Sequence, residues 1–217
     1  MNPPCIGIMG AMPDEVDPAV CQAGAGDQRN LRRGGVPPGM LNGRQVVVCC
    51  AGMGKANAAS TVQVLITKYG AEKIIFSGIA GNMTSKIGIG DVCVGETVVY
   101  HDAQNDMIAQ SAPFTAEYHG DPALVKAALD ACNACGVKAI AARLPPVTLL
   151  AMPPPKRLSR QMPARLRGDG SAAVSQVAAR NRAYPRVILR AMSDNADESG
   201  YEVLVVKKFS IGEYIKT

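Results

Sequence analysis

The segment RQVVVCCAGMGKANAASTVQVLITKYG (residues 44–70) constrains the fold most strongly. It starts as a continuous apolar run typical of a buried strand, passes through a glycine-rich turn, and continues with the apolar spacing of a helix. Three further segments, residues 5–12, 72–83 and 185–199, each carry an apolar run that is followed by glycine or polar residues. In the second of them, Gly78–Gly81 is predicted to form another glycine turn after the strand. Strands that alternate with helices in this way predict an α/β fold in which a largely parallel sheet carries helices on both faces.

The composition is typical of one globular domain with an aliphatic core. The chain has 217 residues, 47% of which are hydrophobic, and it contains no Trp. A length slightly above 200 residues is common for one open α/β sheet, so we expect a single domain over residues 1–217. No apolar run reaches the roughly 18 residues of a membrane span, and the N-terminus lacks the pattern of a signal peptide. We therefore expect no membrane association.

The seven cysteines do not form the pattern of a disulfide scaffold. Cys49 and Cys50 are adjacent within an apolar strand, so we expect reduced thiols and a cytoplasmic protein. Cys132 and Cys135 form a C-x-x-C, but this pair lies inside the helical pattern PALVKAALDACNACGVKA. Because the chain has no second pair of this kind, the pattern favours two small helix residues over a zinc or redox site, and we expect no metal.

Residues 144–170 depart from this organisation. Six prolines in the segment exclude a central strand or a long helix, because each proline removes a backbone donor. Positive charge is also concentrated in and around this segment: ten Lys or Arg and one acid lie from residue 143 to residue 190, whereas the whole chain has a net charge of +5. Nucleic-acid-binding faces combine patterned basic residues with aromatic ones, whereas here the charge is packed into one aberrant segment, so we expect no nucleic-acid partner. We rank a basic interaction module that uses this segment below the other functions considered.

The glycine turn GMGK (residues 52–55) resembles a phosphate-binding loop only in part. A Walker loop requires Ser or Thr after the lysine, where this chain has Ala56. A dinucleotide fingerprint requires Gly or Ala where this chain has Asn57. The pattern therefore favours a tight strand-to-helix turn, although the backbone N–H groups at the helix start could face a polar ligand.

Polar residues follow the first and the last predicted strand. Glu15 lies just past the first strand, and Arg190, Ser193 and Asp194 cluster at the end of the last one. Taken singly, Glu15 could be a helix-start charge, and Ser193 with Asp194 could form a helix N-cap. Jointly they indicate a site, because ligands of such sheets bind at the carboxyl ends of strands and these two strands should be neighbours.

Five segments together carry a specific resemblance. These are IGIMGAMPDEV, LNGRQVVVCCAGMGKANAA, SGIAGNM, IGDVCVGETVVYHDA and VILRAMSDNADES, and they cover about two-thirds of the chain in order. They resemble the 5′-methylthioadenosine/S-adenosylhomocysteine nucleosidases of the purine nucleoside phosphorylase superfamily. The pairing of G-A-M-x-x-E with R-A-M-S-D-N-A-D is its most specific part. The resemblance implies a three-layer αβα nucleoside phosphorylase/nucleosidase fold with a mostly parallel, mixed central sheet.

The resemblance also implies an activity and the residues for it. Family members hydrolyse the N-ribosidic bond of methylthioadenosine and S-adenosylhomocysteine, which places them in methionine salvage. The acid that protonates adenine N7 maps onto Asp194, and the base that positions and deprotonates water maps onto Glu15, with Arg190 to orient them. The implied substrate-binding positions are Met12, Met53, Gly78, Ile79, Ala80, Gly81 and Ser193. The family has Ser or Val where Ile79 stands. A small-molecule nucleoside as partner, a homodimer and no cofactor are implied as well.

Two family motifs are missing. Where the family has I-A-T-G-D-x-F, whose Phe stacks on adenine, this chain has LPPVT (residues 144–148). Where the family has V-E-M-E-G, whose second Glu holds the ribose hydroxyls, it has RGDG (residues 167–170). Both substitutions arise when suitable codons for the family motif are read one base out of register. We therefore interpret roughly residues 144–170 as a frameshifted passage, and an intact frame on independently sequenced DNA would contradict this interpretation.

The missing groups predict a weak catalyst. Gly170 cannot hold two ribose hydroxyls, and the loss of a charged hydrogen bond typically costs about 1.5–3 kcal/mol. Two alternatives therefore accompany the hydrolase. Adenine release that depends on phosphate would favour a purine nucleoside phosphorylase, and binding of nucleosides without adenine release would favour a catalytically dead nucleoside-binding remnant.

Overall fold

The computed structural model describes residues 5–24, 37–82, 85–100, 103–144, 170–181 and 185–194, without the side chain of Asp194. The described part is built on an eight-stranded mixed sheet. The strands are β1 Cys5–Gly10, β2 Gly39–Leu41, β3 Arg44–Cys50, β4 Ala71–Gly81, β5 Val92–Val98, β6 Tyr118–His119, β7 Ala139–Leu144 and β8 Arg186–Asp194. The helices are a 3₁₀ turn at Pro13–Glu15, α1 Asp17–Ala23, α2 Lys55–Tyr69, α3 Asn105–Ile108, α4 Pro122–Ala134 and α5 Gly170–Arg180.

The sheet has the strand order β2-β3-β1-β4-β8-β5-β6, and β7 also pairs with β5. The four central strands β3, β1, β4 and β8 are parallel to one another. β5 runs antiparallel to β8 and parallel to β7, while β2 and β6 are short antiparallel edge strands. The expected mostly parallel, mixed sheet is therefore confirmed.

Helices cover both faces of this sheet. Met9 of β1 and Phe76 of β4 belong to a core cluster that also contains buried residues of α2 and α5. On the opposite face, Ile8 of β1 packs in a cluster with residues of α1, and Val187 of β8 packs with Val125 of α4. Because side chains alternate between faces along each strand, the two sets of apolar residues require two layers of helices. The predicted three-layer αβα arrangement is confirmed.

Two details of the sequence prediction are wrong. The first and last strands are not neighbours, because β4 lies between β1 and β8 and is parallel to both. Its run Ile74–Phe76 packs on both faces of the sheet, as a central parallel strand requires. The segment Gly78–Gly81, predicted as a turn, is the last part of β4, since it continues the ladder with β8 from Gly78 opposite Arg190 to Gly81 opposite Asp194.

The predicted turn between the third strand and its helix is confirmed. The turn carries Gly52 at φ 82° and Gly54 at φ 101°, backbone conformations that a side chain disfavours. Gly54 is the N-cap of α2, and the Asn57 side-chain amide donates to the Met53 carbonyl at 2.8 Å. The glycines therefore close a tight connection between β3 and α2.

The described residues contain no group of three or more His, Cys, Asp or Glu side chains placed to hold a metal ion. None of their helices is both long and apolar enough to span a bilayer. All seven cysteines lie in the described ranges and are free thiols, and the C-x-x-C pair falls at the end of α4, with Cys132 in the helix and Cys135 as its C-cap.

Candidate active site

The candidate site lies at the carboxyl end of the sheet, where β1, β4 and β8 end side by side. The chain leaves β1 at Gly10 and turns at once through the 3₁₀ turn Pro13–Glu15. Gly10 is needed there, because an added Cβ would press against the Glu15 and Val16 side chains at 2.8 and 2.9 Å. This tight return brings Glu15 back over the sheet, towards the end of β4.

The Glu15 carboxylate is buried and held by backbone donors, with only 4% of the residue exposed. Its Oε2 accepts hydrogen bonds from the N–H groups of Ala11 at 2.5 Å and Met12 at 2.9 Å. Its Oε1 accepts a hydrogen bond from Ile79 N–H, in β4, at 3.1 Å. The first two bonds are what a helix-start charge would make, but the third ties the carboxylate to the neighbouring strand and fixes both of its oxygens.

The Arg190 guanidinium is the second charged group of the site, and it is also buried, with 4% of the residue exposed. Its Nε and Nη2 donate hydrogen bonds to Ser171 Oγ, in α5, at 3.2 and 3.0 Å. Its Cζ lies 4.1 Å from the centroid of the Phe76 ring, within the range of a cation–π contact. One edge and one face of the guanidinium are therefore occupied by residues of two other elements.

Gly78 makes the meeting of these two groups possible. It is the residue of β4 that pairs with Arg190, so it separates Arg190 from the strand β1 that precedes Glu15. A Cβ built on Gly78 would overlap Arg190 Nη1 and would lie 2.7 Å from Glu15 Oε1. The carboxylate and the guanidinium thus share the space that any side chain at position 78 would take.

The remaining predicted site residues lie around this centre. Ile79, Ala80 and Gly81 are buried in β4, and Ser193 is buried near the end of β8. Met12 is half-buried, while Met53 is 55% exposed in the glycine turn before α2. Asp194 ends β8 opposite Gly81, and its carboxyl group lies outside the described part of the chain.

Cys50 lies beside the site at the end of β3, and its thiol donates to the Ala11 carbonyl at 3.4 Å. Burial raises the pKa of this thiol, and the negative charges of Glu15 and Asp17 raise it further, although a backbone hydrogen bond from Gly52 acts in the opposite direction. A thiol with a raised pKa is protonated at neutral pH and is a poor nucleophile. Cys50 therefore contributes packing beside the site.

Sequence reasoning missed Ser171 and Phe76, which contact Arg190. Ser171 follows directly on the aberrant segment and looks like an ordinary small residue of α5, so no spacing distinguishes it. Phe76 had a usable signal, because it is one of three Phe in the chain and precedes Gly78 by one alternation on the same side of β4. Gly170, the first residue of α5, also adjoins the Phe76 ring, since a Cβ added to this glycine would lie 3.4 Å from the ring.

The three-layer αβα fold, with a site where β1, β4 and β8 end together, is that of a nucleoside phosphorylase or nucleosidase, and the comparisons with known families agree. The family model of the phosphorylase superfamily matches residues 5–210. The chain is 31% identical over 200 residues to the 5′-methylthioadenosine/S-adenosylhomocysteine nucleosidase of Shewanella piezotolerans, which covers 89% of this chain and 87% of that protein. The chain therefore belongs to the 5′-methylthioadenosine/S-adenosylhomocysteine nucleosidase family within the phosphorylase superfamily.

Solved structures show the same fold. The S-adenosylhomocysteine nucleosidase of Streptococcus pyogenes superimposes with a TM-score of 0.74 at 24% identity, covering 100% of this chain and 94% of that one. The futalosine hydrolase of Helicobacter pylori superimposes with a TM-score of 0.70 at 25% identity, covering 98% of this chain and 94% of that one.

Proposed function

We propose that the chain hydrolyses the N-ribosidic bond of 5′-methylthioadenosine and S-adenosylhomocysteine and releases adenine. The observation that carries this proposal is the buried Glu15 carboxylate, which three backbone donors fix beside Arg190. The relative from Shewanella piezotolerans, which aligns with this chain over most of the length of both proteins, is named as a nucleosidase for these two compounds.

The hydrogen bonds of Glu15 leave room for a water molecule. A carboxylate has about four acceptor positions, two on each oxygen. Within the described ranges, Ala11 and Met12 occupy both positions on Oε2, and Ile79 occupies one on Oε1. The fourth position, on Oε1, is therefore open to a water, and Oε1 is the oxygen that adjoins Gly78 and Arg190.

The reaction divides the work between two carboxyl groups, of which Glu15 acts as the base and Asp194 as the acid. The water oxygen bonds to the ribose C1′ as the C1′–N9 bond breaks, and Glu15 takes a proton from that water. Asp194 gives a proton to adenine N7, so that adenine leaves as a neutral base. Arg190 holds the orientation of Glu15 and of the water. Asp194 is assigned this role from the family pattern and from its backbone position at the end of β8, opposite Gly81.

The nucleoside contacts follow from the same edge of the sheet. We assign the base and ribose to the surface formed by Met12, the end of β4 at Gly78–Gly81, and Ser193. Met53 lies in the turn before α2, where its exposed side chain can cover a bound nucleoside. The mostly apolar lining suits a purine, while the two charged groups lie where the ribosidic bond is cut.

We also propose a cytoplasmic homodimer that acts in methionine salvage. Seven free thiols suit a reducing compartment. Two large apolar side chains between β5 and β6 support a dimer: Met107 is 62% exposed and Phe114 is 72% exposed. Light scattering on the purified chain measures the mass of the assembly, and a monomer at micromolar concentration would contradict this part of the proposal.

One observation favours a second candidate, a nucleoside-binding protein without catalysis. Gly170 stands where the family resemblance implies the Glu that holds the ribose hydroxyls, and a glycine has no side chain to bind them. Such a protein would bind adenosine analogues, measured by calorimetry, and release no adenine.

The discriminating experiment is an adenine-release assay with methylthioadenosine, S-adenosylhomocysteine and futalosine, each with and without phosphate. The hydrolase predicts phosphate-independent release from the first two compounds. Release that requires phosphate would support a phosphorylase instead. Release from futalosine alone would give the chain the activity named for the Helicobacter pylori relative of 25% identity.

A further inference from the structure

We propose that Ser171 is a positioning residue for the reaction, which it serves by holding Arg190 in the orientation that Glu15 requires. This inference rests on the proposed function, because the orientation of Arg190 matters only if Glu15 activates a water. Ser171 is the second residue of α5 and is buried, with 6% exposed.

The Ser171 hydroxyl occupies one whole edge of the guanidinium. Both Nε and Nη2 of Arg190 donate to the same Oγ, at 3.2 and 3.0 Å, so both acceptor positions of that oxygen are used. A planar guanidinium held at two of its nitrogens cannot rotate about its Nε–Cζ axis without breaking a hydrogen bond. The paired bonds therefore fix the plane of the group and the direction of its third nitrogen, Nη1.

Two further restraints act at different points of the same side chain. The Phe76 ring lies against the guanidinium at 4.1 Å from Cζ, and strand pairing places the Arg190 backbone opposite Gly78. With its edge, face and backbone fixed, Arg190 directs Nη1 to the space above Gly78 that Glu15 Oε1 also borders. The Phe76 ring contacts only the face of the guanidinium, and the strand pairing holds only the Arg190 backbone, so neither fixes how the guanidinium is turned within its own plane. Of these three restraints, Ser171 is the one that sets the direction of Nη1.

The support of Ser171 is rigid, because α5 is anchored in the core. The residues that follow it in the helix, Ala172, Ala173 and Val174, are buried in the main core cluster. Asn181, the residue that follows α5, is joined to Gln63 of α2 by reciprocal amide hydrogen bonds at 3.3 and 2.9 Å. The hydroxyl is thus held by the fold and does not depend on the presence of substrate.

The chain offers a matched control in the same helix. Ser175 lies one turn further along α5, is 1% exposed, and its Oγ has no hydrogen-bond partner in the described part of the chain. Ser171→Ala and Ser175→Ala remove the same atom from equally buried positions of one helix. Ser171→Thr retains the hydroxyl and serves as the conservative variant.

Two readouts test the proposal on the full chain. The first is hydrogen exchange of the Arg190 Nε–H, followed by NMR and assigned by its loss in Arg190→Lys. The second is the steady-state kinetics of adenine release from methylthioadenosine. For Ser171→Ala we expect exchange roughly tenfold faster and kcat about tenfold lower, with KM within about twofold, since a hydrogen bond to a charged donor is lost. Ser171→Thr and Ser175→Ala should keep wild-type exchange and kcat.

Each contrary result has a distinct meaning. Unchanged Arg190 exchange in Ser171→Ala would overturn the positioning role, as would faster exchange with an unchanged kcat. An equal loss of kcat in Ser175→Ala would also overturn it, because the effect would then come from helix packing. A wild-type chain that releases no adenine would contradict the proposed function, and the exchange measurement would then decide separately whether Ser171 holds Arg190.

Discussion

Glu15 Oε1 and Arg190 Nη1 border the same point above the α-carbon of Gly78, although Glu15 follows β1 and Arg190 lies in β8, and these two strands are not neighbours. The strand between them, β4, has no side chain at this point, and its next residue, Ile79, donates a backbone hydrogen bond to Glu15 Oε1. The absence of a Cβ on one central residue therefore lets two buried charges meet across a strand. Opposite charges at short range stabilise each other more when they are shielded from water.

Gly78→Ala tests this geometry directly. The added methyl group would overlap Arg190 Nη1 and press on Glu15 Oε1, so we expect a loss of about 1–3 kcal/mol in the free energy of unfolding. Adenine release should fall by about 100-fold or more, because a small displacement of catalytic groups is costly. Thermal unfolding and the release assay measure the two effects.

Gly88→Ala is the matched control, since its Cβ would have only one neighbour within 4 Å, Asp91 Oδ2 at 3.9 Å. This variant should retain wild-type stability to within about 0.5 kcal/mol and full activity. Wild-type stability and activity in Gly78→Ala would contradict the requirement for a glycine between Glu15 and Arg190.

Gly170→Glu should increase activity if the chain lacks a ribose-binding acid. Gly170 begins α5, and its Cβ would sit in ordinary contact with the Phe76 ring at 3.4 Å and with Ala58 at 3.6 Å, so the backbone accepts a side chain there. A new charged hydrogen bond to the ribose would lower KM by about tenfold or more. The KM for methylthioadenosine checks this.

The neutral Gly170→Gln should produce a smaller gain than Gly170→Glu, because neutral hydrogen bonds are weaker. A KM that stays constant in both variants would show that position 170 does not face the ribose.

Cys93 gives a prediction for the pH dependence of stability. Burial raises the pKa of its thiol from 9.0 to about 11 in the folded chain. The folded state therefore holds this proton more tightly than the unfolded state, so the contribution to stability is full below pH 9 and is lost as the pH rises towards 11. A shift of this size corresponds to about 2–3 kcal/mol. The free energy of unfolding should fall over this range.

Cys93→Ala should flatten that fall, whereas Cys21→Ala should not, since Cys21 is exposed. Denaturant unfolding at several pH values between 8 and about 10.5 compares the slopes. Parallel slopes for the wild type and Cys93→Ala would contradict a buried, protonated thiol at this position.

Asp194→Asn should abolish adenine release while the chain still binds an adenosine analogue. An amide cannot give the proton that adenine N7 needs, so kcat should fall by about 100-fold or more. Calorimetry with a non-hydrolysable analogue measures binding, which should change by less than about tenfold. Full activity in this variant would assign the proton to another group.

The sequence predicted the parts of the fold that depend on local pattern. The apolar run of β3, the glycines at 52 and 54, and the helix that follows are encoded within one continuous segment, so their order was readable. The position of β4 between β1 and β8 could not be read from the sequence, because strand order depends on packing between segments that are distant along the chain.

The candidate site likewise contains residues that the sequence predicted and residues that only the structure shows. Glu15 and Arg190 were recognisable, since a polar residue after an apolar strand is a local signal and the family pattern adds to it. The contact between Arg190 and Ser171 joins two elements across the sheet face, and a serine in a helix of small residues carries no sign of its partner. The need for glycine at position 78 follows only from where the two charged side chains meet.

The most direct test of Glu15 as the catalytic base is the rate of adenine release by Glu15→Gln, compared with Glu72→Gln. Glu72 lies in the same sheet, on β4, but is exposed, so its variant controls for the loss of a negative charge. We predict that Glu15→Gln lowers kcat by about 100-fold or more in a chain whose folding is verified by circular dichroism, while Glu72→Gln retains wild-type kcat. A folded Glu15→Gln variant that releases adenine at the wild-type rate would contradict the role of Glu15 as the catalytic base.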